Sequence, residues 1–127
     1  MAISRLPDAE LEVMKVVWLC GGETASANIS HMLEGKKDWA VTTILNFLAR
    51  LVDRGFLTVK RKGKTNIYTS IVSEEEYLES ESKSFLERLH GNSLKSFVAS
   101  LYSGDVISQR DLEELKSFID EKAGDRK

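Results

Sequence analysis

Cysteine is almost absent. Cys20 is the only one in 127 residues, so no disulfide can close within the chain, and a reducing, cytoplasmic setting is expected. Histidine is nearly as scarce. His31 and His90 fall on different predicted helices, and with Cys20 they show no metal-ligand spacing, so neither a metal nor another cofactor is expected. No apolar run approaches the roughly 20 residues that a membrane span needs. No basic-then-apolar leader opens the chain, and no membrane insertion is expected. No glycine loop is built to cradle phosphate, and no nucleophile is paired with a base. These absences argue against an enzyme.

What is present is an ordinary globular balance, 42% hydrophobic and 30% charged. The net charge of −2 conceals an uneven distribution. Residues 1–72 hold ten Lys/Arg against seven Asp/Glu, and residues 73–127 hold eight against thirteen. The first half is therefore locally basic, which suits contact with phosphates.

Periodicity predicts three helices, a hairpin and three more helices. The single proline, Pro7, suits a first helical position, with Asp8 and Glu10 favouring the positive helix start. Leu11, Met14, Val17 and Trp18 recur at helical spacing until Gly21 and Gly22. A second helix is expected from Ser26 to Leu33, capped by Thr24 or Ser26 and stopped by Gly35. A third runs from Ala40 to Arg54, with Val41, Ile44, Leu48, Leu51 and Val52 as its inner stripe. Leu45 falls at the border of that stripe, where truncation should cost mainly stability. Then the period changes. Phe56 to Lys62 and Asn66 to Val72 read as two strands joined at Gly63 and Lys64. Ser73 with Glu76, and Ser108 with Asp111, match capping boxes for the fourth and sixth helices. The fifth is expected from Ser93 to Tyr102, and a frayed tail from Gly124.

This order fits a mainly α protein with a small β-hairpin wing. Residues 1–72 read as a winged helix-turn-helix and residues 73–127 as a three-helix dimerisation domain. On the third helix, Thr42, Thr43, Asn46 and Arg50 lie opposite the apolar stripe, where a recognition helix meets base edges. A merely solvated helix face would look the same. At the hairpin, Lys60, Arg61, Lys62 and Lys64 crowd one turn, with Asn66 and Tyr68 as neutral phosphate ligands. Edge lysines also serve to block strand pairing. Lys36 and Lys37 are either backbone contacts or plain loop lysines. Trp39 reads as a packing anchor. The acidic half carries more apolar side chains than fifty residues can hide alone. Leu78, Phe85, Leu89, Phe97, Val98, Leu101, Leu115, Phe118 and Ile119 are the candidate homodimer interface. The alternative is that these helices fold back on their own winged domain. Two-fold symmetry would match two operator half-sites on double-stranded DNA.

The sequence also resembles the BlaI/MecI penicillinase-repressor family. Leu11-Glu12-Val13-Met14 to Trp18 is similar to that family's opening motif. Lys37-Asp38-Trp39, Thr43-Ile44, Leu48-Ala49-Arg50-Leu51 and Gly55-Phe56-Leu57 resemble its recognition block. Ile107-Ser108-Gln109 with Leu112-Glu113-Glu114-Leu115 resembles its last helix. The resemblance implies a dimeric repressor of β-lactamase or penicillin-binding-protein genes, or of other operons, relieved in that family by proteolysis after a membrane sensor-protease detects a β-lactam. The family's cleaved Asn–Phe bond aligns with Ser100–Leu101, and its recognition-helix arginine slot holds Leu45. The C-terminal cysteine cluster of copper-responsive relatives has no counterpart. Two other readings stand beside it: a winged-helix regulator with another inducer, and a protein-interaction winged helix that binds no DNA.

Overall fold

The computed structural model describes residues 3–125. The chain forms two compact units, divided between Glu81 and Ser82. The first contains α1 (Asp8–Leu19), β1 (Glu23–Ala25), α2 (Ser26–Leu33), α3 (Val41–Asp53), β2 (Leu57–Lys62), β3 (Thr65–Ser70) and the start of α4 (Glu74–His90). The three helices pack around Val13, Met14, Val17, Ile29, Leu33, Ile44, Leu48 and Leu51, with Phe56 and Leu57, at the start of β2, completing the cluster. Full burial of such a side chain is worth about 1.5–3 kcal/mol, so this cluster fixes the angle of α3.

The sheet has three strands rather than the expected two, ordered β1-β3-β2 and antiparallel throughout. β1 has only three residues, too few to show a period, and exists because Glu23 to Ala25 find partners in Thr69 to Ile67. Pro7 is an N-cap, not the first helical residue. Its ψ of 150° is extended, and its carbonyl accepts the Leu11 N–H at 2.9 Å. Neither Thr24 nor Ser26 caps α2. Ala25 takes that position without a side-chain bond, while the Thr24 hydroxyl accepts from Asn28 Nδ2 at 2.9 Å. The two capping boxes form as expected. Ser73 N–H donates to the Glu76 carboxylate and Glu76 N–H to the Ser73 hydroxyl, and Ser108 and Asp111 repeat the pattern. These bonds hold both carboxyls below the usual range.

The unit boundary falls nine residues later than position 72, because Tyr77 of α4 is buried in the winged unit. Its hydroxyl accepts the Leu6 N–H at 3.0 Å, and its ring meets Trp18 and Phe56 at 5.8 and 5.7 Å. The Trp18 indole N–H in turn donates to the Val72 carbonyl at 2.9 Å.

One ion pair ties α1 to the end of α3. Arg54 Nε donates to Glu10 Oε1 at 2.7 Å, with the Glu10 side chain 2% exposed and that of Arg54 36%. Breaking a fully buried pair costs about 3–5 kcal/mol, because one charge is left without a partner. Screening at the half-open arginine reduces this, and Arg54→Ala is expected to destabilise by about 2 kcal/mol in urea unfolding. A loss below about 0.5 kcal/mol would show that water already satisfies Glu10.

The second unit contains the rest of α4, α5 (Leu94–Ser103) and α6 (Gln109–Asp125). α6 runs on through Gly124, where a frayed tail was expected. Ser93 caps α5 by accepting the Ser96 N–H at 3.0 Å. Phe85, His90 and Phe97 cluster with ring centroids 5.3–5.9 Å apart. None of the described residues in this unit is fully buried. Three helices of this length bury little apolar surface by themselves.

Candidate nucleic-acid interface

α3 is the best-defined amphipathic helix of the winged unit, and Gly55 ends it at φ +82°. Ile44, Leu48 and Leu51 face the core. Thr42, Asn46 and Arg50 are exposed on the opposite side, and Thr43 is half-buried at its edge. The inner stripe is shorter than the sequence suggests. Val41 is 59% exposed, because α3 begins beyond the rim of the core. Trp39 is the anchor at that rim, half-buried and edge-on to Phe47 at 5.1 Å. Lys36 and Lys37 lie exposed in the loop before it, with Lys37 Nζ 5.7 Å from the Trp39 ring.

The wing is a tight hairpin. Lys62 pairs with Thr65, leaving Gly63 and Lys64 as a two-residue turn, with Gly63 at φ +66°. Lys60, Arg61, Lys62 and Lys64 are all exposed. None has a carboxylate partner among the described residues. Strand alternation splits them. Lys60 and Lys62 point to the face of Ile67 and Thr65, while Arg61 shares the opposite face with its partner Asn66. Arg61 Nε also donates to the Gly63 carbonyl at 3.0 Å, bracing the turn. The hairpin therefore carries positive charge on both faces and at its tip.

Tyr68 does not belong to this set. It shares the inward face with Leu57, is 6% exposed, and burial pushes its hydroxyl pKa up. A buried ring at the root of the wing packs the sheet and offers no phosphate ligand. Val59, Arg61 and Asn66 share that face and are exposed, so the place of Tyr68 near the root of the wing, and not alternation alone, decides its burial.

The remaining sites lie on the last three helices. Leu78 and Leu89 of α4 are 56% and 59% exposed, and Phe118 and Ile119 of α6 are 55% and 45%. Phe85, Phe97, Val98, Leu101 and Leu115 are half-buried. Between α5 and α6 an apolar groove is lined by Leu94, Val98, Tyr102, Leu112, Leu115 and Ile119. Leu94 and Tyr102 fall outside the candidate interface read from the sequence, because one period cannot say which side of a short helix lacks a neighbour. Ser100–Leu101 lies inside α5, and the Ser100 hydroxyl donates to the Phe97 carbonyl at 2.8 Å. Leu78 lies in the winged unit and the other eight in the second.

Three helices, a three-stranded sheet and an exposed basic hairpin define a winged helix-turn-helix protein. A family profile described as penicillinase repressor matches residues 6–121. The chain is 33% identical to the penicillinase repressor of Bacillus licheniformis, over 98% of its own length and 97% of that protein's. It is 30% identical to the methicillin resistance regulatory protein MecI of Staphylococcus aureus (strain N315), over 92% and 94% of the two lengths. A solution structure of monomeric Bacillus licheniformis BlaI with the blaP half-operator superposes with a TM-score of 0.51 at 33% identity, covering 59% of this chain and 90% of that one. The chain belongs to the penicillinase-repressor family, a family of transcriptional repressors and not of enzymes.

Proposed function

We propose that this chain represses β-lactam resistance genes by binding operator DNA as a homodimer. The observation that carries DNA binding is the winged unit. It presents a polar row on α3 and four exposed cations on the hairpin, without a carboxylate partner among the described residues, in a chain similar to penicillinase repressors over nearly its whole length. Thr42, Thr43, Asn46 and Arg50 enter the major groove, and Lys60, Arg61, Lys62, Lys64 and Asn66 hold the flanking backbone. Dimerisation is favoured by the second unit, in which Leu89, Phe118 and Ile119 stay exposed and no described residue is fully buried. A repressor of this kind works in the cytoplasm, where its operator is.

Relief by a membrane sensor-protease is the inducing route that the family suggests. The bond at Ser100–Leu101 lies within a helix. A protease needs extended backbone, so cutting there requires α5 to open locally first.

A salt titration of duplex binding tests the reading. Phosphate contacts release counterions, so affinity should fall steeply as salt rises. Replacing Lys62 and Lys64 together with Ala should weaken binding about equally on all sequences and reduce the slope by roughly 1–2. A flat wild-type slope would favour a protein-interaction winged helix. A steep slope unchanged in the variant would remove the wing from the interface.

A further inference from the structure

The outermost face of α3 is not uniformly polar. Thr42, Leu45, Asn46 and Ala49 are spaced as one helical stripe, and all four are exposed. Leu45 is 38% exposed, and Val41, one turn before it, 59%. α3 meets the core chiefly through Ile44, Leu48 and Leu51, with Leu45 at the border of that contact and Val41 further out. A single exposed leucine is ordinary surface. Here two branched apolar side chains at i and i+4 flank the polar groups that face the bases.

In the major groove the one apolar feature of a base edge is the thymine C5 methyl. Any other edge set against Leu45 or Val41 would lose water from a polar group and gain no hydrogen bond. We infer that Val41 and Leu45 read thymine methyl groups, making this chain selective for T beside the base contacted by Asn46. The inference rests on α3 facing the major groove, as proposed above.

The probe is a duplex selected from a randomised pool by the wild-type full-length chain. Each thymine is then replaced singly by deoxyuridine, which deletes the methyl and keeps every hydrogen-bonding group. One or two thymines per half-site should prove sensitive, with binding weakened about three- to tenfold, the scale of one buried methyl. Leu45→Ala and Val41→Ala should each bind the unmodified duplex more weakly and become indifferent to uracil at their own thymine. Val41→Ala should keep the wild-type melting temperature. Val41 is the more exposed and preserves the test if Leu45→Ala lowers that temperature. If the wild-type chain binds the selected duplex tightly but ignores every uracil, the methyl reading falls while DNA binding stands. Sensitivity that persists in both variants also overturns it. A wild-type chain that selects no duplex overturns both readings.

Discussion

Phe118→Asp should turn the chain into a monomer. In sedimentation at micromolar concentration the wild-type chain is expected as a dimer and the variant at 14.3 kDa. Phe118 is 55% exposed in the isolated chain, so an aspartate there meets water and the fold survives. In an apolar seam between two copies the same carboxylate would be stripped of water without a partner, which is strongly unfavourable. Operator binding should fall with it. Two linked winged units bind two half-sites together, and the second event is effectively intramolecular. Losing that link costs about a hundredfold or more in affinity. Leu101→Asp should act the same way but is a less clean test, because Leu101 is half-buried and part of any effect would be on folding. A wild-type chain that stays monomeric, or a Phe118→Asp chain that stays dimeric, would refute the interface.

Asn46→Ala should lower specific affinity roughly ten- to a hundredfold and leave non-specific binding nearly unchanged. Asn46 is exposed in the middle of α3, beside Thr42 on the outward face. A bidentate Asn–adenine pair is worth about 1–3 kcal/mol of discrimination. At about 1.4 kcal/mol per tenfold, that is the stated range. The lost group is neutral, so the salt slope should not move, in contrast to the lysine pair on the wing. Binding to an operator series with every single-base change would show the preference relaxed at one base pair in each half-site. Equal weakening on all sequences would mean that Asn46 reads no base.

These two effects differ in how far the sequence could foresee them. The helical stripe of Ile44, Leu48 and Leu51 is dictated by 3.6-residue spacing, and Asn46 is outward because it lies opposite that stripe. Leu45 shows the limit of the same reasoning. A wheel places it at the border of the stripe, where truncation should cost stability. Its exposure depends on how far the neighbouring helices extend over it, which no single-helix pattern contains. The wing shows both sides as well. A Gly-Lys turn between β-formers marks a hairpin locally, yet Tyr68 fits either face by residue type, and only the packed sheet buries it.

The sequence alone determined the order of helices and hairpin, both capping boxes, the polar row on α3 and the basic cluster at the turn. Each is a local property, set by side chains within a turn or two of one another or by charge that burial does not alter. The tertiary structure alone decided four other features. β1 exists only because β3 lies beside it. The Glu10–Arg54 pair joins residues 44 positions apart. Tyr77 carries the winged unit into α4 through a bond to Leu6, 71 positions away. Val41 and Leu45 are exposed because the core ends before it reaches them. All four depend on contacts between segments distant in the chain, and a periodic pattern fixes which face of a segment is apolar without fixing what that face will meet.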